Sequence, residues 1–398
     1  MEDARDRIES LEANPPSLPK SLIFVFQERL RFEGGRTFQQ RYFVYDKYHT
    51  AGGPIFFYAG NEANVELYVN ATGLMWENAA RFRALLIFAE HRYYGSSQPF
   101  GAPKDWREQP LQYLTHDQAL ADYAALLYRL RAERVLPTTT ATIAFGGSYG
   151  GMLAAWLRIK YPGSIDGAIA ASAPILAFAG ESPAFDTNTY WQVVTADASP
   201  AKGAAAECIP NIRAAWQVLF AMGATQEGRD VLQASLGICE PIMSREQVEA
   251  VAMLELNVLD TLAMGNFPYP SNYLVFQQTE DPSLMLPAWP MRAACREMTS
   301  EPKVNKQVMD GAVPGTNPTS SGARALLARL RAATNILSNI TQSVQCLHLP
   351  DPKDVECDGI WDYQYCTEML PQESYFSLSG TQHVLVSALQ HELDHGAL

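Results

Sequence analysis

Ser148 is the residue that its neighbours best equip for chemistry. It lies in Gly146-Gly147-Ser148-Tyr149-Gly150-Gly151, between the β-branched run Thr140–Phe145 and the helix-like run Met152–Lys160. Strand, tight turn and helix together put a hydroxyl on a sharp bend. The residues two positions either side of it must be small, because the strand and helix backbones approach closely there. Gly146 and Gly150 meet that need. The helix N-terminus aims backbone N–H groups at the turn, which favours negative charge developing there. A hydroxyl so placed suits attack on a carbonyl carbon.

The spacing G-x-S-x-G, with a strand before it and a helix after, is the nucleophile elbow of α/β-hydrolases. Ser148 is then the expected nucleophile. The backbone N–H of Tyr149 is one expected oxyanion donor. The second is expected from the loop after the third strand, where Gly60-Asn61 stands. A serine hydroxyl also needs a base, normally a histidine held by a carboxylate, and in this fold the chain order is Ser, Asp, His.

The elements that must position these groups can be read from hydrophobic periodicity. Arg41–Tyr45, Pro54–Ala59 and Ala84–Ala89 read as strands; the last two are continuous apolar runs, as central strands buried on both faces require. Thr115–Arg131 reads as a helix with Thr115 or Asp117 as its cap. Gly167–Ser172 reads as a return strand. Alternating strands and helices predict a mostly parallel sheet covered on both faces. From about residue 180 the pattern turns helical, as in Ile212–Met222 and Arg245–Leu262. The expected organisation is a loose leader over 1–20, the first part of an α/β-hydrolase domain over 21–180, an inserted, mainly helical cap over 181–370, and a tail over 371–398. Val304–Gly322 is polar and Gly/Pro-rich and reads as an exposed loop.

Whole-chain properties narrow the function classes. The 398 residues are 47% hydrophobic, enough for a large core, and carry a net charge of −13 with no Lys/Arg-rich run, which argues against nucleic-acid binding. No apolar run is long enough to insert in a membrane. All six cysteines (Cys208, Cys239, Cys295, Cys346, Cys357, Cys366) fall in the second half. They suit local disulfides, with about 15 possible pairings; the lack of a C-x2-C pair argues against a metal site. Asn70-Ala71-Thr72 and Asn339-Ile340-Thr341 are glycosylation sequons if the chain is secreted. The charged N-terminus is not a secretory signal.

Several stretches together resemble the Pro-specific serine exopeptidase family, whose members are carboxypeptidases and dipeptidyl peptidases. They are Gly53–Glu62, Phe88–Gly95, Leu120–Tyr123, Ala144–Trp156, Leu286–Pro290 and Trp361–Glu368. The resemblance implies an α/β-hydrolase with a helical cap, a Ser-Asp-His triad, no cofactor, and cleavage of proline-containing peptides after proline. It also implies a disulfide-bonded, glycosylated, lysosomal or secreted protein, commonly a homodimer. Asp362 is a candidate anchor for a substrate ammonium, with a residue of the cap held in a structural hydrogen bond as the alternative.

The family's Asp-Pro-Trp and paired-His motifs do not occur, and the pattern stops after Gln382. The expectation is therefore a C-terminally truncated form that lacks the last strands and the triad Asp and His. His391, Asp394 and His395 are not expected to replace them, and His91 and His116 are expected to be structural. A catalytically dead form that binds peptide or pairs with an intact subunit is the alternative to an active enzyme.

Overall fold

In the computed structural model the described residues are 23–31, 37–101, 105–178, 182–183, 186, 189–275, 281, 283–299, 320–349 and 359–369. The expected leader over 1–20, the tail over 371–398 and most of the polar stretch 304–322 lie outside them. The described residues form two compact units, 23–183 with 359–369, and 186–349.

The first unit is built on a six-stranded sheet. Its strands are β1 (Ile23–Arg31), β2 (Thr37–Tyr45), β3 (Ile55–Ala59), β4 (Leu85–Ala89), β5 (Thr142–Gly147) and β6 (Gly167–Ala171), in the order β1-β2-β4-β3-β5-β6. β1 and β2 run antiparallel, as do β2 and β4; β4, β3, β5 and β6 are mutually parallel. Every residue of β3 and β4 is buried. Successive side chains point to opposite faces. Ile55, Phe57, Leu85 and Ile87 pack on one face with Leu120, Leu127, Leu153 and Leu157. Phe56, Tyr58, Leu86 and Phe88 pack on the other with Val65, Val69 and Met75. Each such side chain contributes roughly 1.5–3 kcal/mol by leaving water.

The helices supplying those partners are α1 (Val65–Ala71), α2 (Gly73–Phe82), α3 (His116–Glu133) and α4 (Tyr149–Lys160). Thr115 caps α3 by accepting from the Gln118 N–H at 3.2 Å. Asp117, the other candidate cap, instead pairs with Lys160. β6 differs from its neighbours: it lies at the sheet edge and Ala168–Ala171 are exposed.

The second unit is helical: α5 (Thr189–Asp197), α6 (Cys208–Gly223), α7 (Gln226–Leu236), α8 (Arg245–Met264), α9 (Pro290–Thr299) and α10 (Ser321–Ser338). They share one core that includes Ile212, Trp216, Leu256, Leu259 and Leu330. Two disulfides, Cys208–Cys295 and Cys239–Cys346, resolve part of the pairing that spacing left open. The segment α11 (Ile360–Gln364) with its continuation Tyr365–Met369 belongs to the sheet unit, whereas the sequence placed it in the cap.

Candidate active site

β5 runs into the turn at Ser148, and α4 starts at the next residue. Ser148 is exposed and has φ +55° and ψ −126°, a conformation that L residues rarely adopt. The turn is held by the Ser148 N–H, which donates to the Ala171 carbonyl at 3.0 Å, and by the Ser148 carbonyl, which accepts from Met152 N–H at 3.0 Å. The two flanking glycines are required sterically. A Cβ on Gly146 would collide with the Gly150 carbonyl. A Cβ on Gly150 would lie 2.8 Å from Asn61 Oδ1 and 2.9 Å from the Ala59 carbonyl. The loop after β3 therefore lies directly against the first turn of α4.

Gly60 pins that loop. Its N–H donates to the Ala89 carbonyl at 3.0 Å, and its carbonyl accepts from the Tyr123 hydroxyl at 2.5 Å. Asn61 is buried, and its Nδ2 donates to Glu62 Oε2 at 2.8 Å. Burial raises the Glu62 carboxyl above the usual carboxylate range, against the lowering effect of its hydrogen bonds.

Beneath the turn lies a continuous hydrogen-bond chain that sequence reasoning did not find. The Tyr94 hydroxyl donates to Gln364 Oε1 at 2.7 Å, and Gln364 Nε2 donates to the Tyr149 hydroxyl at 2.6 Å. The Tyr149 hydroxyl is 3.0 Å from His91 Nε2, and His91 Nδ1 is 2.7 Å from the Arg92 carbonyl. A carbonyl can only accept, so Nδ1 carries the proton and Nε2 accepts from Tyr149. Burial, then the adjacent Arg92 charge, pushes the His91 pKa down to about 3 and keeps the ring neutral. Burial foremost raises Tyr94 and Tyr149 well above the usual phenol range, with the Glu62 charge adding to it. The signal in the sequence was Glu90-His91-Arg92, three ionisable residues directly after a fully apolar strand.

Each of those three residues is tied down. Glu90 accepts from Val65 N–H at 3.1 Å, Ser96 N–H at 2.9 Å and the Ser97 hydroxyl at 2.8 Å. Arg92 forms a buried two-point pair with Asp122, at 2.7 Å and 2.6 Å. His91 is buried in that chain, and His116 lies at the start of α3. His116 Nδ1 is 2.9 Å from Glu368 Oε2, and its ring packs on Trp156. Among the described residues no side chain hydrogen-bonds the Ser148 hydroxyl.

Asp362 is exposed in the first turn of α11, whose N-cap is Gly359. Of the two sequon asparagines, Asn70 is exposed on α1, while Asn339 is partly buried and accepts from Val344 N–H at 2.9 Å. The positions of His391, Asp394 and His395 lie outside the described residues.

A sheet of this order, with an exposed serine on a left-handed bend between a parallel strand and its following helix, defines an α/β-hydrolase. The particular family follows from comparison with known proteins. The family model for serine carboxypeptidase S28 matches residues 28–386, and the chain belongs to that family of serine peptidases. The lysosomal Pro-X carboxypeptidases of Pongo abelii and Homo sapiens are each 36% identical over 372 residues, covering 90% of this chain and 68% of the relative. A solved arylesterase aligns over 48% of this chain and 58% of its own, with 13% identity and a TM-score of 0.29, too slight a likeness to build on. Among the described residues no helix is long and apolar enough to cross a membrane.

Proposed function

We propose that the chain is a serine exopeptidase acting on proline-containing peptides, with Ser148 as the nucleophile. One observation carries this reading: an exposed serine is held at φ +55° at the start of α4 by two backbone hydrogen bonds and two sterically required glycines. The Ser148 oxygen attacks the scissile carbonyl, and the resulting oxyanion takes hydrogen bonds from the Tyr149 N–H and the Asn61 N–H. Gly60 serves this by orientation, since its own N–H is engaged with Ala89. The names of the relatives support cleavage after proline from the carboxyl end. The two disulfides and exposed Asn70 support a lysosomal or secreted location with glycosylation at Asn70; pairing of two copies accords with the family.

The second reading is a peptide-binding or subunit-pairing form without turnover. It is favoured by the lack, among the described residues, of any hydrogen-bond partner for the Ser148 hydroxyl. A fluorophosphonate probe decides between them, because labelling requires an activated serine. Labelling of the folded chain that is lost in Ser148→Ala supports the peptidase. Silence in folded protein that still retains a proline-containing peptide supports the binder. For an active chain, equal cleavage of X-Pro substrates with free and blocked amino termini would remove Asp362 as an ammonium anchor.

A further inference from the structure

The helical unit carries a second group of reactive side chains. Glu240, His348 and Cys239 lie in a row on its surface. His348 Nδ1 is 2.5 Å from Glu240 Oε1, and His348 Nε2 is 3.5 Å from Cys239 Sγ. The second Glu240 oxygen accepts from Leu349 N–H at 3.1 Å, which fixes the carboxylate. Cys239 follows the Gly237 cap of α7, and a two-bond bridge holds it to the segment carrying Cys346. Cys239 N–H donates to the Leu347 carbonyl at 2.9 Å, and Leu347 N–H donates to the Gly237 carbonyl at 2.8 Å. Among the described residues, Arg331 of α10 is a further charge near this bridge; its guanidinium lies against Gly237 and donates to the Gln345 carbonyl at 3.2 Å.

The contact with sulfur has a direction. Cys239 is joined to Cys346, so its sulfur has no proton to donate. A hydrogen bond at 3.5 Å then requires the proton on His348 Nε2. Nδ1 faces the Glu240 carboxylate, so each ring nitrogen has an acceptor beside it. Hydrogen bonding to His348, then to Leu349 N–H, holds Glu240 below the usual carboxylate range. A disulfide sulfur facing a ring N–H becomes the better leaving group, because the departing thiolate is stabilised and protonated.

We propose that Cys239–Cys346 is a thiol–disulfide exchange site for a dithiol reductant, with His348, oriented by Glu240, as the acid for the Cys239 sulfur. The thiolate of the reductant attacks Cys346 Sγ. A mixed disulfide forms there, and the Cys239–Cys346 bond breaks with its electron pair going to Cys239. His348 gives that sulfur its Nε2 proton. The second thiol of the reductant then attacks its own sulfur in the mixed disulfide. It leaves as a cyclic disulfide, and Cys346 is released as a thiol. The protein disulfide is reduced by two electrons and the dithiol is oxidised by two.

The same unit supplies a control. Cys208 and Cys295 are fully buried, so their disulfide has the same oxidation state without access or an acid. The experiment exposes the folded full chain to dithiothreitol at pH 5.5 and pH 8, traps free thiols with a maleimide and follows each cysteine peptide by mass. Cys239–Cys346 should open about tenfold or more faster than Cys208–Cys295. His348→Gln should slow that opening about fivefold at pH 5.5, and the difference should be smaller at pH 8. Glu240→Gln should act in the same direction. With glutathione in place of the dithiol, the trapped adduct should sit on Cys346. Equal rates for wild type and His348→Gln at pH 5.5, simultaneous opening of both disulfides, or an adduct on Cys239 would each overturn the proposal.

Discussion

Tyr149 combines two roles at opposite ends of one residue. Its backbone begins α4 beside Ser148, and its hydroxyl is held between Gln364 and His91. The buried chain fixes the phenol, and the phenol fixes the backbone that stands next to the nucleophile. Tyr149→Phe keeps the ring and removes the shared hydroxyl, leaving His91 Nε2 and Gln364 Nε2 buried without that partner. The expected cost is about 1–3 kcal/mol, measured by urea unfolding. His91 adds a pH signature. Its folded pKa of about 3 lies below its ordinary 6.5, so the unfolded state takes up the proton first. This contribution is complete above pH 6.5 and is lost as pH falls towards 3; by pH 5 about 2 kcal/mol of it has gone. His91→Gln should remove that part of the acid sensitivity. Urea midpoints at pH 7 and pH 5 that shift equally in both proteins would contradict the assignment.

At the scale of elements, the strands were legible because burial on both faces leaves an unbroken apolar run, as in Ile55–Ala59 and Leu85–Ala89. α3, α4, α6 and α8 were legible from helical spacing. α1 and α2 were not called, being short and separated only by Thr72. The placement of 359–369 could not be read either, because its allegiance rests on contacts such as Tyr94–Gln364, 270 residues apart in sequence. The same holds for the candidate site. The turn is local and could be read; the relay beneath it joins three separate stretches and could not. The Arg92–Asp122 pair shows what such long-range ties contribute, since it fastens the segment after β4 to α3. Asp122→Asn leaves the buried guanidinium without its counter-charge and should destabilise the sheet unit by about 3–5 kcal/mol. Chemical denaturation of the full chain measures it, and a loss below about 1 kcal/mol would mean that Arg92 is solvated or re-paired.

For the whole molecule, acidity acts through each unit's own buried groups. In the helical unit Glu255 of α8 is buried, and neither carboxyl oxygen has a hydrogen-bond partner among the described residues. Burial pushes it from 4.5 up to about 7, outweighing the lowering effects of Thr334 and Arg331 on α10. The sign is opposite to that of His91. A carboxyl with a raised folded pKa favours the folded state fully below pH 4.5, and this contribution is lost as pH rises to about 7. The ionised form therefore costs the helical unit about 3 kcal/mol at pH 8 relative to pH 4.5. Glu255→Gln copies the neutral acid in shape. It should match wild type at pH 4.5 and be more stable by about 3 kcal/mol at pH 8. Native-state hydrogen exchange on peptides from α8 and α10 separates this unit from the sheet. Protection in those peptides should fall with pH in wild type more steeply than the chemical exchange rate accounts for, and should not do so in the variant. Identical behaviour of the two proteins across that range would show that Glu255 is ionised in the core at both pH values, held by a charge partner such as Arg331.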